Sequence, residues 1–143
     1  MHETIEVSAS DLLRTRDLRE AIYTLMLNRI RHRPAPRDYV DLLNAAAASP
    51  PLGLALRRGT LERFGGLKQL HSTLARDALE LLGGPLTNRL KECAGEDCSR
   101  LYLDISRNAT RRWCGMRQCG DKAKSANYRA RRRADGHVHY IGR

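Results

Sequence analysis

Apolar residues recur at helical spacing in the first third of the chain and predict two helices. The first helix has an apolar position every three or four residues, which is typical of one buried face. These positions are Leu18, Ala21, Ile22, Leu25, Met26 and Ile30. Ser8 or Ser10 can cap its start, and Asp11 complements the positive end of the helix. Prolines stop this helix, and a second one is predicted from about Pro36 to Ala48.

The middle of the chain predicts a short hairpin and a third helix. Residues 52–64 alternate leucine with smaller or charged residues, and Gly59 could turn a hairpin. The third helix has the clearest pattern, with apolar-face positions at Leu67, Leu70, His71, Leu74, Ala78, Leu81 and Leu82. We expect His71 to be half-buried and hydrogen-bonded. A Gly-Gly-Pro stretch at 83–85 ends the helix, and we place a domain boundary there, between residues 1–84 and 85–143.

The pattern changes after this boundary. Leu101, Leu103 and Ile105 are predicted to share one face of a strand, with Tyr102 and Asp104 on the other face. Residues 121–134 predict a helix rich in arginine that has no apolar stripe. Such a helix cannot be held by a core, so it needs a metal anchor or a charged partner.

The charge of the chain is concentrated at its C-terminal end. The formal net charge is +10, and residues 91–143 contribute 13 Lys and Arg against 6 Asp and Glu. A concentrated positive field favours a polyanion such as DNA or RNA. No stretch approaches the roughly 20 apolar residues that a membrane span requires, and the start lacks the pattern of a signal peptide. We therefore expect a cytoplasmic protein whose thiols stay reduced.

Four cysteines form the candidate metal site. Cys93 and Cys98 make one C-x4-C pair, Cys114 and Cys119 make a second, and fifteen residues separate the pairs. Four thiolates suit one structural zinc ion with no open position. Disulfides, redox chemistry or inert thiols are the alternatives. The sequence thus predicts an α+β, mostly helical protein: a helical N-terminal domain with a short hairpin, then a small treble-clef-like zinc finger with a C-terminal basic helix.

Several motifs in this segment resemble the CGNR zinc-finger family. They are C-A-G-E-D-C at 93–98, D-I-S-R-N at 104–108 and R-R-W-C-G-M-R-Q-C-G at 111–120. L-R-E-A-I-Y at 18–23 and D-L-L-N-A at 41–45 are similar to the helical ABATE-like stress-response domain that usually precedes this finger, although the N-terminal domain is short here. Where the family signature reads Cys-Gly-Asn-Arg, this chain has Asp121 and Lys122 after the glycine.

The resemblance implies a bacterial transcription regulator of stress responses whose finger binds DNA. Our leading hypothesis adds that the helical domain is a platform for homodimerisation or for sensing a small-molecule effector. On the basic helix, Asn127 is the candidate for an adenine edge and Arg129 or Lys124 for a guanine. Arg111 and Arg112 are interpreted as phosphate-backbone clamps, with Trp113 packed under the finger. The predicted nucleic-acid contacts are Arg107, Arg111, Arg112, Lys122, Lys124, Asn127, Arg129, Arg131, Arg132 and Arg133.

Other functions remain open from the sequence. The finger could dock onto an acidic protein surface as an adaptor, or the basic helix could bind RNA. His137 and His139 form an H-x-H pair that we expect to be solvated. The N-terminal part offers no Ser/His/Asp grouping and no convincing carboxylate pair, and glycine-rich phosphate loops are missing, so we do not expect an enzyme.

Overall fold

A capping box starts the first helix. The computed structural model describes residues 7–137 of the chain, with side chains as far as residue 133. Helix α1 (Ala9–Ile30) begins after Ser8, whose hydroxyl accepts the backbone N–H of Asp11 at 3.1 Å, while the Asp11 carboxylate accepts the Ser8 N–H at 3.1 Å. This reciprocal pair satisfies two amides that the helix leaves unbonded. The predicted cap is confirmed, with Ser8 in the capping position.

Three helices enclose the core of the N-terminal part. Helix α2 (Arg37–Ala47) and helix α3 (Leu67–Gly83) both pack against α1. The buried cluster consists of Leu18, Leu25, Leu43, Ala75 and Ala78. Leucine and alanine thus supply the burial, as the helical patterns predict.

The buried face of α3 matches the predicted one only in part: Ala78 is buried and Leu82 packs against the core, as predicted. Ser72, Ala75 and Ala78 face the core, whereas Leu70 and Leu74 are 38% and 45% exposed. Small residues let the helix approach α1 and α2 closely, so the core-facing side is not the one richest in leucine. The buried Ser72 hydroxyl donates to the backbone carbonyl of Ser49 at 2.5 Å, which removes the cost of burying it.

The predicted hairpin is confirmed. Strand β1 (Gly53–Arg57) pairs with strand β2 (Thr60–Phe64) in an antiparallel two-stranded sheet. The two turn residues, Arg58 and Gly59, have φ of 50° and 78°. Positive φ at both central residues matches the right-handed twist of the flanking strands, which explains the glycine.

A 3-10 turn at Thr87–Arg89 leads into the C-terminal part. There, strands β3 (Leu90–Glu92) and β4 (Leu101–Leu103) form a second small sheet, and a π-helical turn at Met116–Gly120 leads into helix α4 (Asp121–His137). The chain divides between Leu90 and Lys91 into two compact units, here called the helical unit and the finger unit. The boundary predicted at residue 84 lies six residues before this division.

The predicted fold class is confirmed, but one strand is shorter than expected. Strand β4 ends at Leu103, so Ile105 leaves the strand face and is 79% exposed. Asp104, expected on the polar face, is fully buried. No helix among residues 7–137 is long and apolar enough to cross a membrane.

We expect the Leu43→Ala substitution to destabilise the helical unit by about 3 kcal/mol, because it opens a cavity at a fully buried site. Urea denaturation followed by circular dichroism measures the loss. Leu13→Ala is the matched control, since Leu13 is 57% exposed and its truncation should change the free energy of unfolding by less than about 0.5 kcal/mol. Equal effects of the two substitutions would contradict the assigned core.

Candidate metal centre

The structure brings the four cysteines together at one point. The Sγ atoms of Cys93, Cys98, Cys114 and Cys119 all lie within 4.8 Å of one another. Cys93 is buried and the other three are half-buried. Cys93 follows β3 and Cys98 precedes β4, while Cys114 precedes the π-helical turn and Cys119 lies within it, just before α4. Three separate segments of the finger unit therefore meet at these sulfurs.

The spacing of the sulfurs fits a tetrahedral metal. The Sγ atom of Cys114 lies 3.8 Å from that of Cys98 and 3.8 Å from that of Cys119. Four sulfurs at about 2.3 Å from a zinc ion would be separated by about 3.8 Å along the edges of the tetrahedron. A sulfur–sulfur bond requires about 2.05 Å, so the cluster has no disulfide geometry. The site fits one structural zinc ion with all four positions filled by sulfur.

The first cysteine loop is shaped to present its sulfurs to the site. The Cys98 N–H donates to the Gly95 carbonyl at 3.2 Å, and Asp97 adopts a positive φ of 60°. A Cβ at position 95 would lie 3.0 Å from the Sγ of Cys119. Glycine is favoured there because a side chain would crowd the opposite cysteine.

Backbone amides lower the pKa of one thiol, which favours the thiolate that binds a metal. Burial opposes ionisation of Cys93, but the N–H groups of Cys114 and Gly95 donate to its Sγ at 3.2 and 3.4 Å and lower its pKa to about 7. The Cys119 thiol donates to the side chains of Cys98 and Cys93, which favours its protonated form and raises the pKa of Cys119 to about 12. Cys93 thus ionises before Cys119, and a bound dication would displace the remaining thiol protons.

A buried ion pair holds the loop between the two cysteine pairs. The Nζ of Lys91 donates to Asp104 at 2.6 Å, and Asp104 also accepts the backbone N–H groups of Ser106 and Arg111 at 3.0 Å each. Lys91 further donates to the carbonyl of Ala109. The Lys91 side chain hydrogen bond, with the help of Ser106, holds the pKa of Asp104 well below its ordinary range.

The contribution of this ion pair to the stability of the finger unit depends on pH. The pKa of Asp104 is lower in the folded finger than in the unfolded chain. Its contribution to stability is therefore fully present at neutral pH and is lost as the pH falls below the ordinary range of aspartate.

The predicted clamp residues have structural contacts near the site. Arg111 donates to the carbonyls of Trp113 and Cys114, and its guanidinium lies 4.9 Å from the centre of the Tyr102 ring. Arg112 lies over the half-buried Trp113 ring at 5.4 Å. Arg111 thus braces the chain around the second cysteine pair, and its contact with nucleic acid stays a prediction.

The remaining predicted contacts lie on exposed positions. Arg107 is exposed in the loop after β4. The others lie along α4, where every side chain of residues 121–133 is exposed except the half-buried Ala123; they are Lys122, Lys124, Asn127, Arg129, Arg131, Arg132 and Arg133. The side chains of His137 and His139 lie outside the described residues.

Sequence reasoning missed the supporting residues of the site. Neither Lys91 nor the role of Asp104 was predicted, because the alternation of residues 101–105 suggested a longer strand. The Asp-x-Ser pattern at 104–106 carried a usable signal, since an aspartate that bonds the backbone two residues later typically ends a strand. The supporting role of Tyr102 was also missed; its hydroxyl donates to the Arg111 carbonyl at 2.7 Å.

The fold and the site define a protein with a helical domain and a four-cysteine zinc finger. The family model for the CGNR zinc finger matches residues 89–132. The ABATE model, described as "Putative stress-induced transcription regulator", matches residues 2–85, more than half of the 143 residues. The chain belongs to the ABATE family, and the predicted resemblance to both families is confirmed. A comparison with curated proteins gave no match.

We expect the Asp104→Asn substitution to speed the loss of zinc to a chelator by at least about tenfold, since outer-shell partners commonly change metal retention to this extent. The amide cannot neutralise the half-buried Lys91 ammonium, so the loop that carries Arg111 loses its anchor. A colorimetric chelator measures the release. Glu96→Gln removes an exposed carboxylate from the same unit and should leave the rate unchanged; equal rates for the two variants would contradict the role of Asp104.

Proposed function

We propose that this protein is a DNA-binding transcription regulator in which Cys93, Cys98, Cys114 and Cys119 bind one zinc ion and α4 contacts double-stranded DNA. The family descriptions support the general part of this proposal, which is transcription regulation by a protein with a zinc finger. One observation supports the proposed contact between α4 and DNA: α4 is an exposed helix, rich in arginine, that starts at the metal site.

The distribution of side chains around α4 supports a nucleic-acid interface. At 100° per residue, the cations occupy a continuous arc of about 200°, and the alanines at 123, 126 and 130 share the opposite side. The arc runs from Arg131 and Lys124 through Arg132 to Arg129, Lys122 and Arg133. A helix whose apolar side consists only of alanines gains little by packing on a core, whereas phosphates on both sides of a groove would neutralise such an arc.

The centre of the arc is the part best placed to meet base edges. Arg132 and Ser125 lie near its middle, and the guanidinium of Arg132 lies 6.0 Å from the centre of the Tyr128 ring. Asn127 falls outside the arc, beside the alanines. We therefore assign base contacts to Arg132 and Ser125 in preference to Asn127, with the flanking cations on phosphates.

The metal site would give this helix a fixed starting point. Cys119 lies in the π-helical turn Met116–Gly120, which runs directly into α4, and the Gly120 N–H donates to the Gly115 carbonyl at 3.1 Å. Arg100 donates to the side chain of Gln118 in the same turn at 2.8 Å. Zinc would fold the finger and present the basic arc in one direction. The ion would play a structural part only.

The combined substitution of Arg131, Arg132 and Arg133 by Ala should abolish most binding to duplex DNA. These residues supply half of the six cations of α4, and neutralising about six phosphates gives a slope of log Kd against log salt of magnitude about 5 for the unchanged protein. Gel-shift titration of the zinc-loaded protein over a salt series measures both quantities. We expect the slope of the variant to fall to about half.

A matched control removes the same charge elsewhere. Arg14, Arg16 and Arg19 are exposed on α1, and their combined substitution by Ala lowers the net charge equally. This control should keep most of the affinity and the slope. Unchanged binding after the α4 substitutions would exclude α4 as the contact surface, and weak retention without a fixed footprint would favour a protein-binding adaptor.

Asp121→Asn should raise DNA affinity by about fivefold, because it removes a carboxylate that lies within the basic arc of α4. Asparagine stabilises a helix start nearly as well as aspartate does, so the helix should be preserved. The dissociation constant at fixed salt is the measurement. Glu96→Gln changes the charge of the finger unit by the same amount, and an equal gain from it would show that only net charge matters.

A further inference from the structure

The hairpin of the helical unit presents its leucines to solvent. Leu54 and Leu56 on β1 and Leu61 on β2 share one face of the sheet, and they are 62%, 76% and 52% exposed. Gly53 and Ala55, which point to the other face, are half-buried. The three leucines of the hairpin therefore lie on the side where a monomer gains least from them.

The outer edge of β1 is also open. In a hairpin with a two-residue turn, Arg57 and Thr60 form the first hydrogen-bonded pair, and alternate residues point their backbone groups outward. On β1 the outward residues are Leu54 and Leu56. Within residues 7–137, no hydrogen bond joins the backbone of either residue to the backbone of a residue outside the hairpin. Such an edge, without lysine or proline at its centre, is a template for another strand.

We propose that β1 pairs antiparallel with β1 of a second copy of this chain, with the two Ala55 residues facing each other across a two-fold axis. In this register Leu54 faces Leu56 of the second copy, and Leu56 faces its Leu54. Both are outward-pointing residues, so each pair exchanges two backbone hydrogen bonds. The product is a four-stranded sheet with six leucines on one face. A two-fold axis perpendicular to the sheet keeps all six on the same side.

The charges favour β1 over β2 as the edge that pairs. The corresponding two-fold pairing of β2 would place Glu62 opposite Glu62 of the second copy and Leu61 opposite an arginine. Like charges directly opposite each other destabilise a sheet. In the β1 pairing, Arg57 faces Gly53 of the second copy, and its own charge is already paired with Glu62 at 3.5 Å. A second copy thus fits the β1 edge without opposing charges.

The dimer would join two zinc fingers in one particle. Two fingers contacting one duplex would bind more tightly than one, and a two-fold pair would favour a palindromic site. This consequence rests on the proposed function, whereas the strand pairing itself does not.

Sedimentation equilibrium of the full zinc-loaded chain tests the pairing without DNA. The unchanged protein should show a monomer–dimer equilibrium. Leu54→Lys together with Leu56→Lys should raise the dissociation constant of the dimer at least about tenfold, because it replaces two leucine pairs by opposed charges. Leu13→Lys, which alters an equally exposed leucine of α1, should leave the equilibrium unchanged. A monomer at every concentration would overturn the proposal, whatever the DNA-binding result.

A cross-link tests the register and does not depend on the lysine variant folding. At the two-fold axis the Ala55 Cα atoms would be about 4.5 Å apart, within the range that a disulfide spans. Mild oxidation should therefore join Ala55→Cys chains into a dimer, and should leave the unchanged protein and Glu62→Cys unlinked. Equal cross-linking of the Ala55→Cys and Glu62→Cys variants would overturn this interface. So would the absence of a cross-link in Ala55→Cys if that protein still dimerises.

Discussion

The finger unit has almost no apolar interior. Among its described side chains up to residue 133, the buried ones are Cys93 and Asp104, with Gly120. Hydrophobic burial therefore cannot account for its order, and an interaction of another kind must bring its segments together. Four sulfurs from three segments supply it. Thiolate coordination replaces a core in this unit, and both the small sheet and the start of α4 depend on it.

The Lys91–Asp104 ion pair complements this coordination from the other side of the loop. It ties β3 to the end of β4 and to the backbone of Ser106 and Arg111. Arg111 in turn donates to the carbonyls of Trp113 and Cys114, next to the second cysteine pair. A polar network of this kind is stable only when every buried group is bonded, and no described buried side-chain atom lacks a partner. Coordination and hydrogen bonding thus fix the same loop.

The helical unit is stabilised by hydrophobic burial, in contrast to the finger unit. Leucine and alanine from three helices form its core, and the polar groups buried beside them are bonded, as Ser72 is to the Ser49 carbonyl. Its exposed features are the more informative ones for function: leucines on the outward face of a hairpin, and an open strand edge. In the proposed regulator, the two units divide the work. One unit would bring two copies together, and the other would present a basic helix to DNA.

The sequence by itself determined the elements whose signals are local. Helical periodicity predicted α1, α2 and α3, Gly59 predicted the hairpin turn, and two equal cysteine spacings predicted a four-thiolate site, because each of these depends on residues close in the chain. Only the tertiary structure decided which face of α3 is buried, that β4 stops at Leu103, and that Asp104 pairs with Lys91. Those outcomes depend on partners distant in sequence, and on small side chains that let helices approach closely, so no periodicity within one segment could reveal them.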